Sequence, residues 1–172
     1  LRMIVDDDGK SPDVCAAAVA NLQDHHRKET YEGAKQVGRI GKSLYETQFG
    51  TEHAQAYWQN AEADRAIVRA VFSPYAAPMD VLQVMCDGLP GFHGARLLRI
   101  AGNPAFVGLL RYLDNGGEIL PHTDVAPWDV PGSLECQQVD CQIAANFYLN
   151  MPEIGGEVTI YDQRVSKLEY DA

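Results

Sequence analysis

Basic residues are scarce in this chain of 172 residues, and the shortage limits the partners it can have. Lys and Arg together number 14 against 24 Asp and Glu, which gives a formal net charge of −10. A surface of that sign repels nucleic-acid phosphates and anionic lipid headgroups. We therefore expect neither a nucleic-acid partner nor a membrane partner.

Paired cysteine motifs and long apolar runs are also missing. Four cysteines show neither a CxxC pair nor a Cys/His spacing typical of zinc, so reduced thiols are the simplest interpretation. No apolar run is long enough to span a bilayer, and no basic segment followed by an apolar stretch indicates a leader. The composition, 46% hydrophobic and 22% charged, is that of an ordinary globular protein. We expect one cytoplasmic domain over residues 1–172.

Residues 1–92 are predicted to be mainly helical. One helix is expected to start at Ser11-Pro12-Asp13 and run to His26, because Pro suits the first helical position and an acid suits the first turn. A second is expected over about 53–73, where apolar residues follow a helical stripe, and a third over 79–87, ending at Gly88. Residues 31–51 show no clear period.

Residues 93–172 change character and predict short strands between Gly, Pro and Asn turns. The expected strands are Ala95–Ala101, Ala105–Leu113, Glu118–His122, Asp140–Asn150 and Glu157–Asp162. Asn115-Gly116-Gly117 is a strong turn signal between two of them. Helices followed by strands predict an α+β fold, with helices packed outside a curled antiparallel sheet.

His122-Thr123-Asp124 is the pattern that most constrains the chemistry. Residues two apart at the end of a strand project to the same side, so the imidazole and the carboxylate can bind one divalent metal. One carboxylate and two imidazoles form the ligand set of non-haem Fe(II) oxygenases. No histidine follows Asp124 in these residues. The other histidines all precede the expected strands, and they are His25, His26, His53 and His93.

Two longer motifs surround this pattern. The first is Arg111-Tyr112, then Gly116-Gly117, then Pro121-His122-Thr123-Asp124; the second is Asn146-Phe147-Tyr148-Leu149-Asn150 followed by Gly155-Gly156-Glu157-Val158-Thr159-Ile160-Tyr161. From about Arg96 to Tyr161 the chain thereby resembles the Fe(II)/2-oxoglutarate-dependent oxygenases, prolyl-hydroxylase-type members among them. The helical half is more weakly similar to freestanding small-molecule oxygenases, including carrier-independent halogenases. The resemblance implies a double-stranded β-helix (jelly-roll) core, of which residues 93–172 would form a part.

The resemblance also implies site residues. His122 and Asp124 would be iron ligands and catalytic residues, Tyr112 would line the cosubstrate pocket, and Tyr148 would donate a hydrogen bond to a 2-oxoglutarate carboxylate. Asn146, two residues before Tyr148, is a further candidate for that pocket.

Two groups that the resemblance implies have no counterpart here. They are a distal histidine and an Arg or Lys that pairs with 2-oxoglutarate, and we expect both on C-terminal strands that are missing from this sequence. Trp128, four residues after Asp124, is a candidate for contact with substrate because its loop follows the metal motif.

The implied function is a dioxygenase that uses Fe(II), 2-oxoglutarate and O2. It would hydroxylate an unactivated C–H of a small molecule (an amino acid, nucleoside or secondary-metabolite intermediate) and release succinate and CO2. Asp124 favours hydroxylation, since related halogenases have a small residue at the carboxylate position. Desaturation or cyclisation, a prolyl-hydroxylase-like activity on a peptide or protein, and a non-catalytic jelly-roll binding module stay open as alternatives.

Overall fold

The helices and strands are taken from a computed structural model that describes residues 12–31, 33–88 and 96–170. The helices are α1 Pro12–Leu22, a 3-10 helix Leu44–Phe49, α2 Thr51–Phe72, α3 Pro78–Gly88, α4 Ala126–Asp129, α5 Leu134–Gln137 and α6 Lys167–Tyr170. The strands are β1 Glu29–Tyr31, β2 Ala34–Ile40, β3 Arg99–Ile100, β4 Asn103–Pro104 and β5 Leu110–Leu113. No helix of the described part is long and apolar enough to cross a membrane.

Helix α2 contributes most of the hydrophobic core. Its buried apolar residues recur at spacings that place them on one face of a helix, and they are Tyr57, Ala61, Val68, Val71 and Phe72. Helix α1 packs against that face, and the side chain of Phe106 completes the cluster. The core thus lies between the N-terminal helices and the segment that leads into β5.

Polar groups of α2 hold this segment in place. The Arg65 guanidinium is buried and donates hydrogen bonds to the carbonyl oxygens of Pro104 (3.2 Å) and Ala105 (3.0 Å). The buried Tyr57 hydroxyl accepts a hydrogen bond from the backbone N–H of Phe106 at 2.9 Å. Three backbone groups in a row are therefore satisfied by one helix, as buried polar groups require.

A three-stranded antiparallel sheet with the order β1-β2-β5 lies beside the helices. Gly38 of β2 is directly opposite Tyr112 of β5, and Arg39 is opposite Arg111. A Cβ on Gly38 would lie only 1.7 Å from Cζ of Tyr112, so the tyrosine ring occupies the space above the glycine. Strands β3 and β4 form a separate two-stranded hairpin.

The three helices expected in the first half are confirmed. Helices α1, α2 and α3 lie where the apolar spacing and the Pro and Gly signals predict them, with bounds that differ by a few residues. Ser11, at the expected start of α1, and His93 fall outside the described residues. The 31–51 stretch, which shows no period in the sequence, contains all of β2 and the 3-10 helix.

The structure has strands in only part of the runs predicted for the second half. Only Arg99–Ile100 and Leu110–Leu113 form strands within the first two expected runs, and Ala95 lies outside the described residues. The described chain contains no strand at Glu118–His122, Asp140–Asn150 or Glu157–Asp162. A strand needs a hydrogen-bonded neighbour, and these runs have no partner strand among the described residues. The jelly-roll core accordingly stays a proposal.

Candidate functional site

A tight turn after β5 leads the chain toward the His-x-Asp motif. The backbone N–H of Gly117 donates to the carbonyl of Asp114 at 2.7 Å, and Gly116 adopts a positive φ of 79°, which glycine tolerates without strain. The backbone N–H of Asp114 donates to Gln36 at 3.0 Å, which ties the turn to β2. The turn predicted from Asn115-Gly116-Gly117 is confirmed, although His122 lies in irregular chain rather than at a strand end.

The imidazole of His122 is exposed, and its orientation is set by the backbone. Nδ1 lies 2.9 Å from the carbonyl oxygen of Leu120. A carbonyl only accepts hydrogen bonds, so this contact requires Nδ1 to carry a proton, and in the neutral tautomer that does so Nε2 has a free lone pair. Metal-bound histidines usually donate their second ring N–H to a carboxylate or a carbonyl, which fixes the tautomer. The same kind of contact is present at His122, and the ligand role of this residue stays a prediction.

Asp124 is exposed and lies close enough to the carboxyl of Asp129 to influence its ionisation. Burial, and then the negative charge of Asp124, raise the pKa of Asp129 to about 6 against the opposing effect of the Lys167 ammonium. Asp129 is the last residue of α4, the short helix that follows the motif. Two carboxylates are thus brought together, one on each side of the apolar turn Val125–Pro127.

Trp128, the expected substrate contact, lies on α4 and packs against the C-terminal helix. Its ring centroid is 5.6 Å from that of Tyr170, with the two planes tilted by 40°. The Lys167 ammonium lies 5.9 Å from the centre of the indole. The indole is half-buried by these contacts with α6. A role in substrate contact stays a prediction, because the described contacts of Trp128 are all with the chain itself.

Tyr112 lies on β5, with its ring against Gly38 and the ammonium of Lys28 at 4.5 Å from the ring centre. The ring thus contacts both β2, at Gly38, and the Lys28 side chain. Successive strand residues face opposite sides, so Arg111 projects to the other face of β5. The cosubstrate role implied for Tyr112 stays a prediction.

Tyr148 and Asn146 lie in irregular, exposed chain between α5 and α6. The Tyr148 side chain is 51% exposed, and neither residue has a described hydrogen bond to Tyr112 or His122. Leu149, the residue between Tyr148 and Asn150, packs against the hydrophobic core and anchors this stretch. The cosubstrate roles implied for Tyr148 and Asn146 stay predictions.

The described residues contain no group of three His, Cys, Asp or Glu side chains that could hold a metal ion. His122 and Asp124 supply two donors of suitable chemistry, one nitrogen and one oxygen. A complete site thus requires a donor from outside the described part of the chain.

Two features of this region are not predicted by the sequence motifs. One is the carboxyl of Asp129, for which the only signal is an acid next to the apolar residues Val125–Trp128. The other is a polar cluster of Tyr31, Ser43 and Arg111, which the sequence separates by up to 80 positions. No local spacing could have indicated it.

Comparison with known proteins identifies one distant relative. The chain is 31% identical over 132 residues to the L-gamma-glutamyl-L-propargylglycine hydroxylase of Streptantibioticus cattleyicolor, a match over 74% of this chain and 47% of the relative. The chain thus spans about half the length of that protein. No protein-family model matches the chain, and no solved structure does. The relationship to a hydroxylase supports an oxidoreductase role.

Proposed function

We propose that this chain is part of an iron- and 2-oxoglutarate-dependent hydroxylase that acts on a small molecule derived from an amino acid. The observation that carries the proposal is the hydrogen bond from Nδ1 of His122 to the Leu120 carbonyl, which leaves Nε2 free two residues before a carboxylate. The similarity to a hydroxylase whose name specifies a dipeptide of amino acids supports the reaction class and the size of the substrate.

In this proposal His122 and Asp124 hold Fe(II) with a third donor from outside the described residues. The bound iron, with 2-oxoglutarate and O2, supplies the oxidation that converts a substrate C–H to C–OH while 2-oxoglutarate loses CO2 and becomes succinate. Asp124 fills the position that a small residue occupies in the similar halogenases, and this favours hydroxylation. The Leu120 carbonyl keeps the His122 ring in one orientation.

The extended runs after α5 would be strands of the jelly-roll core in the same proposal. Their large apolar side chains are exposed among the described residues, and Ile143, Val158 and Ile160 are examples. Pairing with further strands would bury these side chains and complete the backbone hydrogen bonds.

The experiment that tests the proposal measures metal binding and turnover separately. The intact protein and the variants H122A and D124A are titrated anaerobically with Fe(II), and bound metal is counted after desalting. Succinate is then measured with and without L-gamma-glutamyl-L-propargylglycine as a probe substrate. We expect each variant to lose at least about tenfold in iron affinity, in line with the loss of a metal ligand or its support.

Two matched variants control for general damage. H53A removes an imidazole from the exposed face of α2, and D140A removes an exposed carboxylate that is not part of the motif. Both should bind iron as the unmodified protein does. If H122A or D124A keeps full iron affinity and full succinate formation, the ligand assignment is wrong.

A further inference from the structure

Two arginines lie directly opposite each other on neighbouring strands of the three-stranded sheet. Arg39 of β2 is paired with Arg111 of β5, and both project to the face that is opposite the Tyr112 ring. Like charges in such cross-strand positions repel each other. Negative charge near this face would offset the repulsion, and the two guanidinium groups differ in whether they have a carboxylate partner.

The Arg39 guanidinium is neutralised within the chain. It forms a buried ion pair with Glu46 of the 3-10 helix, and each side chain is only 7% exposed. The same carboxylate accepts a hydrogen bond from the backbone N–H of Ser43 at 2.7 Å. The Tyr31 ring lies under the guanidinium at 4.1 Å. Oε1 of Glu46 thus accepts hydrogen bonds from both Arg39 and the Ser43 backbone.

The Arg111 guanidinium is exposed and contacts only neutral oxygens. Its Nε donates to the Tyr31 hydroxyl at 3.3 Å, and its terminal nitrogen donates to the Ser43 hydroxyl at 3.4 Å. Among residues 12–31, 33–88 and 96–170, no carboxylate lies within 4.0 Å of Arg111. Lys42 and Glu29 lie 3.9 Å apart and balance each other, so within the described part of the chain the Arg111 guanidinium is the unbalanced positive charge of this cluster.

We propose that Arg111, Tyr31 and Ser43 form a binding site for the carboxylate of a small molecule. The two hydroxyl oxygens lie 3.4 Å apart, so one can donate to the other and the second keeps its proton for a ligand. The guanidinium retains N–H groups that its two hydroxyl contacts do not use, and its planar fork matches a carboxylate. One net positive charge suits a carboxylate monoanion better than a phosphate, which carries nearly two negative charges. This site does not depend on iron.

The test uses a charged probe and its neutral counterpart. The 15N-labelled intact protein, without iron, is titrated with propionate, propionamide and inorganic phosphate, and the backbone amides of Ser43 and Glu46 and the Nε–H of Arg111 are followed by NMR. We expect a saturable shift with propionate, no saturable shift with propionamide, and weaker binding of phosphate.

Variants then locate the site. R111Q should weaken propionate binding at least about tenfold, since it removes a charge-assisted contact. S43A, which lies outside the strands, should weaken it by a smaller factor. R99Q is the matched control, because Arg99 is an exposed strand arginine that donates to the Gly102 carbonyl at 2.8 Å. The R99Q variant should bind propionate with the same affinity as the unmodified protein.

Thermal unfolding checks that each variant is folded. If R111Q is unfolded, S43A and R99Q still decide the question. Equal shifts with propionate and propionamide, equal weakening by R99Q and R111Q, or unchanged binding by a folded R111Q would each overturn the proposal. Preferential binding of phosphate would overturn the carboxylate assignment. Loss of iron binding by H122A has no bearing on these outcomes, so the two proposals fail independently.

Discussion

Replacing Asp129 by Asn should make the protein more stable at neutral pH and should remove a loss of stability that develops as the pH rises from about 4 to about 6. Burial, and then the charge of Asp124, raise the pKa of this carboxyl from 3.8 to about 6 in the folded protein. The folded state therefore holds the proton more tightly than the unfolded state does. The free energy of unfolding should fall as the pH rises from about 4 to about 6, and should level off above that range.

The size of the effect follows from the difference between the two pKa values. An increase from 3.8 to about 6 corresponds at most to about 3 kcal/mol of lost stability at pH 7. The carboxyl is only half-buried, and solvent screening reduces this to about 1–2 kcal/mol. D129N should recover that amount at pH 7. Near pH 3 it should match the unmodified protein, in which Asp129 is then neutral in both states.

Urea unfolding at a series of pH values between 3 and 8, followed by circular dichroism, measures this effect. D140N serves as the control, because it removes an exposed carboxylate from the bend before the 141–150 stretch. D124N should give part of the gain, since it removes the second cause of the raised pKa. If D129N shows the same decline in stability between pH 4 and 6 as the unmodified protein, the argument from burial is refuted.

Two further substitutions test the packing that positions the site. G38A should destabilise the protein by about 1–3 kcal/mol, because the added Cβ would lie 1.7 Å from the Tyr112 ring. G33A is the control, because a Cβ on Gly33 would meet nothing within 4 Å. Equal unfolding midpoints for the two variants in urea would contradict the close packing. Y57F should also cost about 1–3 kcal/mol, because it leaves the buried N–H of Phe106 without an acceptor. Y75F, at an exposed tyrosine, is the control. Equal thermal unfolding temperatures for Y57F and Y75F would refute this reasoning.

Local patterns predicted the helices well because a helix satisfies its own backbone. The apolar spacing within α2 and the Pro and Gly residues at the bounds of α3 act over a few positions, and the structure follows them. The strands depend on partners that are remote in sequence. Strand β2 was missed because its buried Arg39 looks like a solvent-facing residue until Glu46 is seen beside it. No alternation of polar and apolar residues reveals such a pair.

The candidate site divides in the same way. The His-x-Asp motif could be recognised from the sequence. The tautomer of His122, however, depends on the direction of the Leu120 carbonyl, which the amino-acid sequence does not specify. Tyr148 and Asn146 were assigned by resemblance, and their place relative to the motif depends on strand pairing that the described residues lack. The Tyr31, Ser43 and Arg111 cluster needed the fold, since its members come from three separate elements.

The contacts of Arg65 have a consequence for how the sheet is assembled. A single guanidinium binds two consecutive carbonyl oxygens just before the chain turns into β5. These hydrogen bonds from α2 consequently fix the position of the chain shortly before that strand begins. The chain that leaves this fixed point pairs β5 with β2 in the register that sets Arg111 across from Arg39.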